Sequence, residues 1–183
     1  MKDIVVSEKE LHEICQRIGH ELTERYKDNV LPPVFIGVMK GALPFMMDLI
    51  REIKCPILTD YVTISSYMGK ESTGVIKLKK DIDTDLTGRD VVIVEDIIDT
   101  GITLEWFKEY LKNNYYPKDI SICVLLDKKC KRKVDVPVDY VGKEIGDAFI
   151  VGYGLDYDEF FRNEKEIFIP TKEQIEEIDK MNN

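Results

Sequence analysis

Val91-Val92-Ile93-Val94-Glu95-Asp96-Ile97-Ile98-Asp99-Thr100-Gly101-Ile102-Thr103-Leu104 changes character twice. It opens as an apolar, β-branched run of the kind that fills a strand buried on both faces. It then turns acidic, with Glu95 and Asp96 adjacent and Asp99 close behind, and finishes in small, hydroxyl-bearing residues just before a helical pattern. Open α/β sheets build sites for phosphorylated ligands in this way, with a buried strand, an acidic end and a Gly/Thr turn into a helix. N–H groups of such a turn converge on one anion, and the helix dipole favours negative charge there. Thr100 and Thr103 add hydroxyl donors, and Gly101 lets the backbone come close. The carboxylates repel a phosphate, so their targets are hydroxyls, a metal ion or a proton. A phosphate cradle beside hydroxyl-binding acids points to a phosphorylated sugar.

Similar strand–turn–helix units flank this stretch. Ser7-Glu8-Lys9-Glu10 reads as a capping box, followed by Leu11, Ile14, Cys15, Ile18 and Leu22 at helical spacing. Val34 to Val38 reads as a buried strand ending at Met39-Lys40-Gly41-Ala42, with Leu43, Met46, Met47 and Ile50 marking the core face of the next helix. Ile57 to Ser65 and Val75 to Leu78 read as strands on either side of a long polar loop, which on its own reads as a floppy hairpin tip and beside a site that excludes water as a lid. Leu104, Phe107, Tyr110 and Leu111 give a helix after the central motif, with Trp106 covering an edge and Tyr116-Pro117 ending it. Ile120 to Leu126 is another buried strand, closing on Asp127-Lys128-Lys129. Val138 to Gly142 and Phe149 to Gly154 read as short strands, and Thr171-Lys172-Glu173-Gln174 caps a last helix carrying Ile175, Ile178 and Met181. The alternation predicts an α/β fold with a central, mostly parallel sheet flanked by helices. No repeat or linker divides the chain, so residues 1–183 read as a single domain.

Composition narrows the function. The 183 residues are 44% hydrophobic, which suits a domain with a real core, and the net charge of −9 disfavours a nucleic-acid or anionic-membrane binder. Cys15, Cys55, Cys123 and Cys130 form no CxxC pair, and His12 and His20 are too far apart on one helix to share a metal; these six read as buried small thiols and solvated histidines. Unpaired cysteines suit a reducing, cytoplasmic setting. No apolar run approaches the roughly 20 residues needed to span a bilayer, and nothing before Lys2-Asp3 reads as a signal peptide.

Val91 to Leu104 resembles the phosphoribosyl-diphosphate-binding motif of type I phosphoribosyltransferases. Met39-Lys40-Gly41-Ala42, Ser65-Ser66-Tyr67, Leu125-Leu126-Asp127-Lys128 and the run from Phe149 to Tyr157 with Arg162 narrow the resemblance to the hypoxanthine–guanine branch. The resemblance implies the type I phosphoribosyltransferase fold, with a small hood formed by chain-terminal segments. It implies transfer of the phosphoribosyl group from 5-phosphoribosyl-1-diphosphate to N9 of hypoxanthine or guanine, giving IMP or GMP and diphosphate, in purine salvage. It also implies Mg²⁺ and a homodimer or homotetramer.

Site roles follow from the same resemblance. Glu95 and Asp96 would meet the ribose hydroxyls and, through these or water, the metal. Asp99 would face purine N7 as general base or acid. Thr100, Gly101, Ile102 and Thr103 would hold the 5′-phosphate. Ile102 stands where many relatives carry lysine, which removes a cation but leaves the backbone cradle. Lys40, Gly41 and Arg162 would bind diphosphate, with a non-proline cis peptide at Lys40-Gly41. Ser66 and Tyr67 would belong to the lid. Lys128 would donate to purine O6, Phe149 would stack on the base, Ile150 would contact its exocyclic edge, and Asp156 would bind the second Mg²⁺ beside the purine. Three rivals remain on the sequence: a xanthine- or guanine-preferring transferase, an RNA-binding regulator on the same fold, and a phospho-acceptor domain using the acids as a Mg²⁺ pocket.

Overall fold

The computed structural model describes residues 2–66 and 76–182. Its frame is a six-stranded sheet in the order β4-β3-β2-β5-β6-β7. The strands are β2 (Val34–Met39), β3 (Leu58–Ser66), β4 (Ile76–Lys80), β5 (Asp90–Ile98), β6 (Asp119–Asp127) and β7 (Tyr140–Glu144). Every pairing is parallel except β3 with β4. The helices are α1 (Glu8–Tyr26), α2 (Leu43–Glu52), α3 (Ile102–Tyr115) and α4 (Lys172–Met181). The two ends of the chain meet in a separate antiparallel pair, β1 (Asp3–Val6) with β8 (Ile167–Ile169), which matches the hood expected from terminal segments.

Alternation along β5 explains why the sheet is covered on both sides. Val92 and Val94 join Leu11, Ile14, Ile18 and Leu22 of α1 and Phe45 and Leu49 of α2. Val91 and Ile93 face the other way, onto Leu104, Phe107 and Leu111 of α3. Two of the helices, α1 and α4, begin at side-chain caps. Ser7 Oγ accepts from Glu10 N at the start of α1, and Thr171 and Gln174 form a reciprocal capping box at the start of α4. Trp106 stacks on Tyr110 at 5.4 Å between centroids, at the border of the second core.

Several sequence expectations need correction. Strand β5 does not end at its carboxylates but runs through Glu95 and Asp96 to Ile98, because it is paired on the β6 side as far as Ile98. Helix α2 buries Phe45, Met46 and Leu49, while Leu43 and Met47 lie exposed; the core face is rotated from the one expected. Residues 149–154 form no strand. Left-handed backbone at Gly152, Tyr153 and Gly154 breaks the extended run, leaving only isolated bridges, Val151 with Phe168 and Gly152 with Leu155. Strand β7 begins at Tyr140, not Val138, since the Asp139 side chain takes the Ile122 N–H at 2.7 Å. Cys15 and Cys123 are buried as expected, but Cys130 is exposed. Burial pushes the Cys15 thiol up to about 11. Ser66 ends β3; Tyr67 and the rest of the polar loop lie outside the described residues, as does the Ser66 side chain.

Buried Asp60 on β3 anchors the connector that leads into β5. Its carboxylate accepts from Tyr61 N, Asp83 N and Thr84 N at 2.7–2.9 Å and from Lys80 Nζ at 3.1 Å. Burial alone would raise its pKa, but these donors outweigh it and hold the group down at about 2. Asp60→Asn should therefore cost about 2 kcal/mol at neutral pH. A depressed carboxyl stabilises above its unfolded-state value and loses that contribution as pH falls through the folded one. Urea melts of wild type and variant should thus converge as pH drops from 3.8 towards about 2.

Candidate active site

The register of β5 and β6 sets the site. Ile98 lies opposite Asp127 in a parallel pair, so the next residues, Asp99 and Lys128, leave the sheet at the same level. The Lys128 backbone N–H bonds Ile98 O at 3.0 Å, and its Nζ comes 3.9 Å from Asp99 Oδ1. Lys128 is buried while the Asp99 side chain is about half exposed. A buried cation therefore sits beside an accessible carboxylate, both on the tips of adjacent strands.

A cleft of about 290 Å³ opens next to them. Its walls include Met39, Gly41, Glu95, Asp96, Asp99, Thr100, Gly101 and Thr103. The structure thus brings the acids, the Thr/Gly turn and the loop after β2 into one cavity; Ile102, exposed at the start of α3, lies beside it. Asp96 is buried and Glu95 partly so. Burial lifts Glu95 well above the usual carboxyl range, and the charge of Asp96 lifts it further. Burial also raises Asp96, against the Ile97 N–H and the charge of Arg162. Two carboxyls in one low-dielectric pocket resist ionising together and favour a cation or hydroxyl donors. Gly41 lies against them: a Cβ there would come 1.8 Å from Asp96 Oδ2.

The Thr/Gly turn is held from below. Gly101 has φ 83°, and a Cβ there would crowd Arg132 Cδ and Val134 O at 3.0 Å. Lys133 N and Val134 N both donate to Thr100 O, at 3.0 and 3.1 Å. The Arg132 guanidinium bonds the Asp99 carbonyl at 3.2 Å, the Val136 carbonyl at 3.3 Å, and the carboxylate of buried Asp127. Sequence reasoning missed Arg132, because two of its acceptors are backbone carbonyls, which leave no trace in a pattern of residue types.

The loop after β2 carries a cis peptide, but at Met39–Lys40, one bond earlier than expected at Lys40-Gly41. Gly41, in the same loop, makes a close approach to Asp96 that tolerates no side chain. The exposed Lys40 Nζ pairs with Glu159 Oε2 at 2.7 Å, and Arg162 Nε reaches the same oxygen at 3.4 Å. Arg162 also pairs with Asp156 Oδ1 at 2.9 Å and donates to Gly154 O at 2.7 Å. Glu159 thus bridges two cations expected to bind an anion. Gly154 packs on the Gly41 carbonyl, where a Cβ would come within 2.0 Å, so the 152–162 turn rests directly on the loop after β2.

The remaining expected residues do not line the cleft. Phe149 is half exposed, with its ring at right angles to Tyr157 and 5.9 Å away. Ile150 is buried. Asp156 does not stand with Glu95 and Asp96 as a ready ligand set: one oxygen takes Arg162, the other the Glu159 N–H at 2.8 Å. Among the described residues no three Asp, Glu, His or Cys side chains gather as a metal cage. The pair Glu95–Asp96 still suits a hard dication, since Mg²⁺ commonly takes one or two carboxylates and fills its shell with water and substrate phosphate. No helix among the described residues is long and apolar enough to cross a membrane.

Comparison with known proteins agrees with this geometry. The chain matches the phosphoribosyl transferase domain over residues 7–158. It is 46% identical over 164 residues to the hypoxanthine-guanine phosphoribosyltransferase of Bacillus subtilis (strain 168), covering 89% of each chain. It superposes on the crystal structure of a hypoxanthine phosphoribosyltransferase from Staphylococcus aureus with a TM-score of 0.88 at 40% identity, covering 94% of this chain and 93% of that one. It is similar also to the Trypanosoma cruzi hypoxanthine phosphoribosyltransferase in complex with the product IMP, with a TM-score of 0.84 at 33% identity over 93% and 94% of the two chains. The parallel sheet, the acidic β5 terminus with its Thr/Gly turn, and these likenesses along nearly the whole chain agree: the protein belongs to the phosphoribosyltransferase family.

Proposed function

We propose that this protein transfers the 5-phosphoribosyl group from 5-phosphoribosyl-1-diphosphate to N9 of hypoxanthine and guanine, yielding IMP and GMP with diphosphate, in purine salvage. One observation carries the reading: Lys128 and Asp99 stand side by side, 3.9 Å apart, on neighbouring strand tips. A 6-oxopurine presents O6 and N7 as neighbouring atoms of one edge. A lysine donates and cannot accept, so Lys128 suits O6. Asp99 suits N7, where it holds the proton that the base gives up as the N9–C1′ bond forms and the bond from C1′ to diphosphate breaks.

The donor half follows from the cleft. Backbone N–H groups of Thr100 to Thr103 at the start of α3 would hold the 5′-phosphate, and Glu95 and Asp96 would accept from the ribose hydroxyls. Lys40, Gly41 and Arg162 would take the diphosphate, Phe149 would cover the base, and Ile150 would meet its exocyclic edge. Mg²⁺, held by Glu95 and Asp96 and on the purine side by Asp156, would neutralise charge gathering on the leaving diphosphate. A homodimer or homotetramer in the cytoplasm belongs to the same reading; the exposed apolar Leu43 and Met47 of α2 are side chains a subunit contact would cover.

Incubation with donor, Mg²⁺ and each base in turn should give nucleotide with hypoxanthine and guanine. Adenine should fail, because its 6-amino group cannot accept from Lys128. No product with any base would end the reading, and fastest turnover of xanthine would move it to the xanthine-preferring alternative.

Asp99→Asn should lower kcat by about 10²–10³-fold, the range of a lost general acid–base group. Donor affinity, measured by calorimetry, should stay nearly constant. An unchanged kcat would remove Asp99 from proton transfer.

Glu159→Gln should release Lys40 and Arg162 from their bridging carboxylate. Because the bridge is exposed, the gain is small: KM for the donor should fall by about two- to fivefold. A rise in donor KM would mean that Glu159 organises these cations rather than occupying them.

A further inference from the structure

Arg132 touches no side chain assigned to the reaction, yet three parts of the site converge on it. Its Nη2 takes the carboxylate of Asp127, the last residue of β6. Its Nε takes the carbonyl of Asp99, the first residue after β5. Its Nη1 takes the carbonyl of Val136, at the far end of its own loop. Asp127 immediately precedes Lys128, so one planar guanidinium joins the chain at Asp99 to the chain beside Lys128. The loop that carries Arg132 also delivers the two N–H groups that hold Thr100 O.

The surroundings favour a tight clamp. The side chains of Arg132 and Asp127 are 17% and 4% accessible, so their pair is little screened by solvent. The Gly101 backbone packs against Arg132 Cδ, which fixes the stem as well as the head. Of the neighbouring lysines, Lys129 pairs with Glu144 at 2.6 Å and Lys131 with Asp147 at 2.9 Å, both away from Asp99, whereas Arg132 turns under it.

We infer that Arg132 is a positioning residue: its guanidinium sets the spacing between Asp99 and Lys128 and thereby lets them meet the purine edge together. The inference rests on the transferase reading and deepens it. Lysine cannot replace arginine here, because a single ammonium lacks the planar fork that spans acceptors on separate segments. The phosphate turn and the acids of β5 stay held by the sheet and by the N–H groups of Lys133 and Val134. Loss of the fork should therefore damage base chemistry more than donor binding.

A double-mutant cycle tests this. Arg132→Lys should lower kcat with hypoxanthine by at least about 10-fold and raise KM for the base, with KM for the donor within about twofold of wild type. In an Asp99→Asn background the same change should lower kcat by less than about threefold, because a residue that acts through Asp99 has little left to lose. For Arg132→Ala, guanidinium at millimolar concentration should restore part of the lost kcat, while equal sodium chloride should not. Equal falls in both backgrounds would overturn the inference, since a general loss of structure multiplies with any active-site change. An unchanged kcat in Arg132→Lys would overturn it too. An inactive wild type would overturn the transferase reading and this inference with it, whereas an active wild type with additive variants would sink the inference alone.

Discussion

The site depends on one constraint: β5 and β6 are buried on both faces and run parallel in register to their last residues. Within such strands a charged side chain is costly, so polar chemistry collects where the strands leave the core. Parallel pairing makes the two strands leave on the same side of the sheet. The pairing of Ile98 with Asp127 makes them leave at the same level, which sets the next residues, Asp99 and Lys128, side by side. A slip of one residue would exchange the side chains that β6 gives to the two cores and part Asp99 from Lys128, so core packing holds the register that the chemistry uses.

A second chain of contacts reaches outward from the acid pair. Gly41 rests on the Asp96 carboxylate, and Gly154 rests on the Gly41 carbonyl. Each step is a backbone approach that a β-carbon would block. The turn that bears Asp156 and Arg162 is therefore located relative to β5 by steric contact through the loop after β2, and its ion pairs add direction more than energy. Arg162 donates to Gly154 O and its charge reaches Asp96, so the same residue closes the circuit electrostatically.

How much of this the sequence displayed depends on where each element's information lies. Helix α1 was legible because its capping residue and apolar spacing are its own. The heart of β5 was legible for the same reason, but its end was not, since pairing with β6 carries it past the acids. The buried face of α2 was misjudged: Phe45, Met46 and Leu49 and the exposed Leu43 and Met47 are about equally apolar, and packing alone chooses between them. The 149–154 run reads as a strand, yet Gly152 and Gly154 impose left-handed turns there. The pairing of β1 with β8 joins the two ends of the chain, a separation no local pattern spans. The residues brought to the main cleft were found through resemblance and charge grouping. Arg132 was not, because its role is written in carbonyls and distances.

The net charge of −9 sets a problem, since a phosphoribosyl diphosphate carries several negative charges itself. The long-range field of the chain should repel it. At physiological ionic strength, however, that field is damped within about 8 Å, so most of the thirty-five acids, spread over the surface, act weakly at the cleft. Two of the nearest acids are damped in another way: burial favours the protonated forms of Glu95 and Asp96. Around them stand Lys40, Arg162, Lys128 and the N–H groups at the start of α3, the donors that the proposed function assigns to the substrate. Local donors in a partly desolvated pocket outweigh a screened, distributed repulsion. On the proposed function a strongly acidic protein holds a strongly acidic substrate, provided that the groups meeting it are fixed in place, as Asp99 and Lys128 are by the common ends of β5 and β6.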